Sequence, residues 1–290
     1  MLFGLPSTKI NLCFKIDKIG AAKFNSMVLY IAKLALAVII TLPIALVTMV
    51  LGLFDPHGKY VYGITRFWSS ALLALGRVSV QVHGLDRLDT RERYLFMANH
   101  QSNVDIPVLV HGLPGFQLRW IAKKELLRVP FFGWALQSAK HIIVNRADRT
   151  GARAVLTRAA QRMANGISVV VFPEGTRSAD GHLLPFKRGG FVLAVKTNAP
   201  IVPVTISGSY KLLPRGEWRL RPGTIHVYIG EAIATGNTGR GELRALVTRV
   251  RRTIEANLPI DTDTTTDARA AMMTSDTLEA RTIRPCENSR

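Results

Sequence analysis

Cysteine is nearly absent: in 290 residues only Cys13 and Cys286 occur, close to opposite ends. Two thiols so placed cannot staple a core, which excludes a disulfide scaffold and fits a reducing compartment. Neither has a histidine or a second cysteine at zinc spacing, and the chain carries no Walker loop and no dinucleotide fingerprint. No internal repeat is present. Acidic residues are scarce too, 20 Asp and Glu against 38 Lys and Arg, for a net charge of +18 and a pI near 10.6. An excess of that size selects a polyanionic partner: nucleic acid, an anionic membrane surface, or a phosphorylated substrate. Stacking clusters of aromatic residues and a recognisable nucleic-acid module are both missing, so nucleic acid is not expected among the partners.

What the chain does have is a long apolar run. Hydrophobic residues make up 48%, unevenly spread, and "LALAVIITLPIALVTMVLGLF" from Leu34 to Phe54 contains no charge. About 20 residues suffice to cross a hydrocarbon core of roughly 30 Å. A cleaved signal peptide is a rival reading, but the leader before the run is long and no small-x-small site precedes "DPHGKY". A buried helix of a soluble protein is the other. Lys9, Lys15, Lys18 and Lys23 precede the run, and Lys59, Arg66 and Arg77 follow it. Positive charge thus marks both flanks as cytoplasmic. The stretch "FWSSALLALG", Phe67 to Gly76, can return the chain, with Pro43 and the loop "DPHGK" bending or turning it. Residues 1–77 are therefore expected to form a membrane-anchoring helical hairpin that dips into or across the bilayer and leaves both ends cytoplasmic.

After Arg77 short strands alternate with helices. The expected strands are Val78 to Gly84, Arg93 to Ala98, Gln117 to Ala122, His141 to Asn145, Ile167 to Phe172, Pro200 to Gly208 and Gly223 to Gly230. Each is short, rich in β-branched or aromatic residues, and bounded by Gly, Pro or charge. Between them, "ADRTGARAVLTRAAQRMANG" puts Val155, Leu156, Ala159, Ala160 and Met163 on one face. "GELRALVTRVRRTIEANL" does the same with Leu243, Leu246, Val247, Val250 and Ile254. The pattern predicts an α/β domain over 78–260, with a central, mostly buried sheet of about seven strands flanked by helices. The Thr-, Ala- and Asp-rich segment 261–290 has no periodicity and is expected to be a disordered tail.

Two loops could carry chemistry. "NHQSNVDIP", Asn99 to Pro107, follows the strand "RYLFMA" and so lies at its C-terminal end, where open α/β sheets bind ligands. Ser102, Asn103 and Asp105 are N-cap residue types, and Pro107 is tolerated in a first helical turn. Here Asp105 can accept from one nitrogen of His100 and leave the other to take a proton. The plainer alternative is a capped helix with an incidental histidine. "FPEGTRS" begins at the end of the next predicted strand but two. In it Gly175 admits close approach to the backbone, Thr176 offers a hydroxyl and Arg177 a planar fork for phosphate. The alternative is an ordinary turn with a surface ion pair between Glu174 and Arg177. Arg146 at another strand end, and Lys187 in "PFKRGGF" ahead of a helix, are further anion-binding candidates.

In this order, "NHQSNVDIP", "FPEGTRS" and "PIVPVTI" behind an apolar N-terminal segment resemble the 1-acylglycerol-3-phosphate O-acyltransferases, the lysophosphatidate acyltransferase family. The resemblance covers roughly Val78 to Gly230. "AKKELLRVPFFGWAL" and "FKRGGFVLAVKTNAPIVPV" are similar to connecting sequence of bacterial members. One block departs from the family's Gly-x-Ile-Phe-Ile-x-Arg: Lys140 stands at the Gly position and Ile143 at the Phe, while Arg146 is kept. The resemblance implies transfer of a fatty acyl group from acyl-CoA or acyl-carrier protein to the sn-2 hydroxyl of lysophosphatidic acid, giving phosphatidic acid. An acceptor such as a lysophospholipid or lyso-ornithine lipid is the alternative. It implies His100 as general base, oriented by Asp105. Arg146, Glu174, Gly175, Thr176, Arg177 and Lys187 would bind the acceptor, with Glu174 holding Arg177 or a hydroxyl. Neither metal nor cofactor is implied. Anionic membrane lipids are expected partners, and the expected place is the cytoplasmic side of a bacterial inner membrane.

Overall fold

The computed structural model describes residues 7–129, 131–145, 151–236, 239 and 241–258. Helix α1 runs from Ser7 to Phe54 and α2 from Lys59 to Gly76. Strand β1 (Val78–His83) and β2 (Leu95–Ala98) precede α3 (Asp105–Gly112). Then come β3 (Leu118–Lys123), α4 (Phe132–Ser138), β4 (Ile142–Val144), α5 (Gly151–Ala164) and β5 (Ser168–Val171). The order ends with α6 (Gly189–Thr197), β6 (Ile201–Ser207), α7 (Ser209–Leu212), β7 (Gly223–Ile229) and α8 (Leu243–Glu255).

The helical hairpin forms, with different limits from those expected. Pro43 stays inside α1, and the reversal falls wholly at Asp55–Gly58. Asp55 explains the turn: its carboxylate accepts from the backbone N–H groups of Lys59 and Val61, each at 3.0 Å. Those are orphan donors of the first turn of α2, so α2 starts at Lys59 and not at Phe67. Gly58 precedes it at φ +67°, a left-handed conformation that favours glycine. At its far end Arg77 closes the helix in the same region at φ +53°, its N–H bonding Ala74 and Leu73 carbonyls.

All seven expected strands form one sheet in the order β1-β7-β6-β2-β5-β3-β4. β6, β2, β5, β3 and β4 are parallel; β7 runs antiparallel to β6, and β1 parallel to β7. Alternation along β2 splits its residues between two cores. Phe96 and Ala98 face α2 and α3, while Leu95 and Met97 face α5, α6 and α8. Every residue of β2 and β5 is buried, as expected of central strands covered on both sides. The tail 261–290 lies outside the described residues.

Candidate active site

Strands β2 and β5 are parallel neighbours, pairing Leu95 with Val169 and Met97 with Val171. Their following loops therefore emerge side by side at one edge of the sheet. Asn99 ends β2 with its side chain turned inward. Its Nδ2 donates to the Ile206 carbonyl at 2.9 Å and its Oδ1 accepts from the Ile206 N–H at 2.7 Å. That clamp on β6 continues the ladder where the strand stops, and aims the next residue outward.

His100 is that residue. Its Nδ1 lies 2.9 Å from Oδ2 of Asp105, and Asp105 is fully buried. The same oxygen accepts from the backbone N–H groups of Gln101 and Ser102, each at 2.8 Å. Two backbone amide donors on Oδ2 mark it as an acceptor, so Nδ1 carries a proton, and in the neutral ring Nε2 presents its lone pair. Asp105 is the first residue of α3 and makes no N-cap bond of its own; its carboxylate instead turns back and folds the loop around the imidazole. Phe172, at the end of β5, stacks on the ring at 4.0 Å between centroids and 13° between planes. Orientation is thus imposed from two sides. Among the residues missed by sequence reasoning, Asn99 and Phe172 lay inside quoted motifs, but only the strand pairing reveals what they touch.

Glu174 does something other than expected. It neither pairs with Arg177 nor lines the cavity described below; it is 2% exposed. Its Oε1 accepts from the His100 N–H at 2.7 Å and its Oε2 from the Leu184 N–H at 2.9 Å. The Ser178 N–H, in turn, donates to the His100 carbonyl at 2.9 Å. The loop after β5 therefore braces the main chain of His100 on both sides. Burial pushes the Glu174 carboxyl up to about 7, with the charge of Asp105 adding to the rise, while the two amide bonds and Arg251 oppose it.

Gly175 sits at φ +74°, and a Cβ there would stand 3.0 Å from Nζ of Lys187. Lys187 is held close by its own N–H, which donates to the Pro173 carbonyl at 2.8 Å. Gly175, Thr176, Arg177 and Lys187 thus come together beside His100. Arg146 lies outside the described residues. Arg215 joins the group without any motif to announce it: its Nη1 donates to the Arg177 carbonyl at 3.1 Å.

These residues share one cavity of about 1560 Å³. Its wall includes His100, Thr176, Arg177 and Lys187, and also Leu34, Leu42 and Ala45 of α1 with Leu72 and Leu73 of α2. It exceeds the usual small-molecule pocket of ~300–1000 Å³. One chamber therefore contains the His100 imidazole, cationic side chains and an apolar wall. His141 also lines it; burial and the nearby Arg119 charge bring its pKa down to about 3, which keeps that ring uncharged.

Residues 79–207 match the family model described as Acyltransferase. The chain is 35% identical over 185 residues to the chloroplastic 1-acyl-sn-glycerol-3-phosphate acyltransferase BAT2 of Brassica napus, covering 62% of this chain and 53% of that protein. It spans about half the length of such chloroplast relatives. With 1-acyl-sn-glycerol-3-phosphate acyltransferase alpha of Homo sapiens it shares 32% identity over 250 residues, 86% of this chain and 82% of the human protein. The crystal structure of the 1-acyl-sn-glycerophosphate (LPA) acyltransferase PlsC from Thermotoga maritima superposes with a TM-score of 0.67 at 29% identity. That match covers 81% of this chain and 96% of PlsC. The chain belongs to the acyltransferase family that includes the 1-acyl-sn-glycerol-3-phosphate acyltransferases.

Proposed function

We propose that this protein transfers a fatty acyl group from a thioester, acyl-CoA or acyl-carrier protein, to the sn-2 hydroxyl of lysophosphatidic acid, forming phosphatidic acid. The observation that carries the reading is the shared cavity, which is lined by His100, by the cations Arg177 and Lys187, and by apolar residues of α1 and α2. A lysophosphatidate has parts to match: an anionic phosphate, a nucleophilic hydroxyl and an acyl chain.

In this reading Nε2 of His100 takes the hydroxyl proton as the acceptor oxygen attacks the thioester carbonyl carbon. The C–O bond forms, the C–S bond breaks, and the departing thiolate recovers the proton. Base catalysis of this type is worth about 10²–10⁴-fold. Asp105 holds the Nδ1–H tautomer and stabilises the transient imidazolium. Arg177 and Lys187 take the phosphate, with Arg146 as a third candidate, and Gly175 and Thr176 line its approach. Glu174 acts through His100 as a positioning residue. No covalent acyl-enzyme is needed, since the acceptor supplies the nucleophile.

The α1 segment Met27–Phe54 has a mean hydropathy of 2.7 and is 11% buried, so its outer face is an apolar surface. Leu53 and Phe54 are about 80% exposed. Its inner face packs on α2, through Trp68 donating to Thr41, and against Ser138 of α4 at Gly52. A helix flanked by the domain over this length cannot stand upright across a bilayer without drawing the domain in. We therefore place α1 in one leaflet, outer face to the lipid, with the catalytic domain on the cytoplasmic side where the thioester donors are found. A bacterial inner membrane fits the connecting sequence.

The test is an assay of purified protein in detergent micelles with oleoyl-CoA and a panel of lysolipids, read by mass spectrometry, with His100→Ala alongside. Phosphatidic acid from lysophosphatidic acid, lost in the variant, is the expected result. Acylation of another lysolipid alone would replace the acceptor and keep the chemistry. Turnover retained by His100→Ala would overturn the base assignment.

A further inference from the structure

The segment "LPRGEWRLR", Leu213 to Arg221, belongs to none of the motifs, yet it is pinned to the molecule at several points. Arg215 donates to the Arg177 carbonyl at 3.1 Å. Leu220 packs into the space left by Gly76 at the end of α2. The Arg221 N–H donates to the Leu212 carbonyl at 2.9 Å. Arg219 places its guanidinium 5.5 Å from the ring centroid of Tyr30. A loop held this firmly has its side chains aimed by the fold.

Trp218 is nevertheless 76% exposed. An indole offers a large apolar area, and leaving it in water is unfavourable relative to burial. Its location says where that area can go. Tyr30 lies in the first turn of the apolar Met27–Phe54 segment, so the Arg219 contact holds the loop beside the helix whose outer face meets the lipid. Tryptophan, an apolar body with a polar N–H, is a usual occupant of a membrane–water interface. The charges agree. Arg215, Arg219 and Arg221 flank Trp218 in sequence, and the one acid of the segment, Glu217, is taken up by Arg221 at 3.3 Å. Arginines near an anionic bilayer surface are attracted to its headgroups.

We infer that the Leu213–Arg221 loop is a second membrane contact, separate in sequence from α1, which inserts Trp218 at the interface and sets its arginines against anionic phospholipid headgroups. Its place follows from the cavity: Trp218 and Arg215 line the same chamber as His100. The loop thereby seats the cavity mouth on the lipid surface, so that an amphiphilic substrate can pass from the leaflet to His100 without crossing water. The inference rests on the membrane reading of α1.

The experiment uses the full chain reconstituted into vesicles of phosphatidylglycerol and phosphatidylcholine whose acyl chains carry bromine at shallow or deep positions. Tryptophan emission of the native protein is compared with Trp218→Phe, a substitution at an exposed site, and flotation reports vesicle association separately. The component removed by Trp218→Phe should be blue-shifted, quenched more by shallow than by deep bromines, and less quenched when phosphatidylglycerol is omitted. Protein that floats with vesicles while that component stays red-shifted and unquenched overturns the loop contact and leaves α1 as the anchor. Protein that does not float overturns the reading of α1 and the loop contact with it. A Trp218 signal that ignores lipid but responds to added acyl-carrier protein assigns the loop to the donor instead, and equally overturns the proposal.

Discussion

The backbone N–H of His100 donates to Oε1 of Glu174 at 2.7 Å, joining residues 74 apart in sequence across two neighbouring strands. Through this bond the loop after β5 governs where the imidazole stands. Glu174→Gln keeps one of the two amide bonds and Glu174→Ala keeps neither. Turnover should fall in that order with little change in KM, because the phosphate-binding cations stay in place. A rise in KM at constant kcat would assign Glu174 to substrate binding after all.

Glu174 also predicts a pH dependence of stability. Its carboxyl is raised to about 7 from an ordinary 4.5, so the folded protein holds the proton more tightly than the unfolded chain. The resulting stability is complete below about 4.5 and is lost as pH rises through about 7. On the order of 1–3 kcal/mol is involved. Thermal unfolding of the native protein and Glu174→Gln across that window should show a steeper decline for the native protein. Parallel curves would refute the shift.

Asp105→Asn tests the charge. The backbone N–H groups of Gln101 and Ser102 keep an oxygen at the Oδ2 position, so the amide still accepts from Nδ1 but no longer supplies the negative charge that stabilises the imidazolium. Activity should drop about 10²–10⁴-fold. Because Oδ2 also holds the Gln101 and Ser102 amides, a melting temperature is needed beside the rate. A folded, inactive variant supports the base assignment, whereas a folded variant near native activity removes it.

Lys140 occupies the left-handed region at φ +59°, at the position where the family pattern has glycine. Its Nζ reaches the Gly52 carbonyl at 3.0 Å, tying the turn before β4 to α1. Lys140→Gly loses this tether but relieves the backbone; Lys140→Ala loses the tether and keeps the strain. The glycine variant should be the more stable of the two by about 1 kcal/mol. Chemical denaturation in micelles gives the ordering, and an alanine variant as stable as the glycine one would contradict it.

Arg119 is buried inside β3 with no carboxylate partner among the described residues. It donates to the carbonyls of Leu118 at 2.7 Å and of His57 and Gly58 at 2.9 Å each. Burial lowers its pKa to about 10. Arg119→Met keeps much of the volume but leaves the α1–α2 turn without its bonds, and should cost about 2–4 kcal/mol. Faster proteolysis at Asp55–Lys59 would locate the damage; unchanged cleavage there would argue that the turn holds by Asp55 alone.

Local signals determined much of this protein without reference to its folded shape. Short β-branched runs bounded by Gly, Pro and charge marked all seven strands, because strand formation depends on period-2 burial and on turn residues that act within a few positions. The pairing of His100 with Asp105 was equally local: both belong to one strand-to-helix loop, so five residues of spacing are enough to bring them together. The limits of α2 were less visible, since Lys59 and Arg66 interrupt its apolar pattern and the capping carboxylate of Asp55 lies outside it.

Other features exist only through the tertiary structure. No property of "FPEGTRS" shows that Glu174 holds the His100 main chain, because that bond depends on β2 lying next to β5. The reversed direction of β7 and β1, the burial of Arg119 under the α1–α2 turn, and the placing of Arg215 beside Arg177 depend likewise on packing between distant segments. So does the cavity, whose apolar wall comes from the N-terminal hairpin and whose cations come from loops more than a hundred residues later. Sequence sets the chemistry available at each position; the strand order decides which of those groups share one chamber.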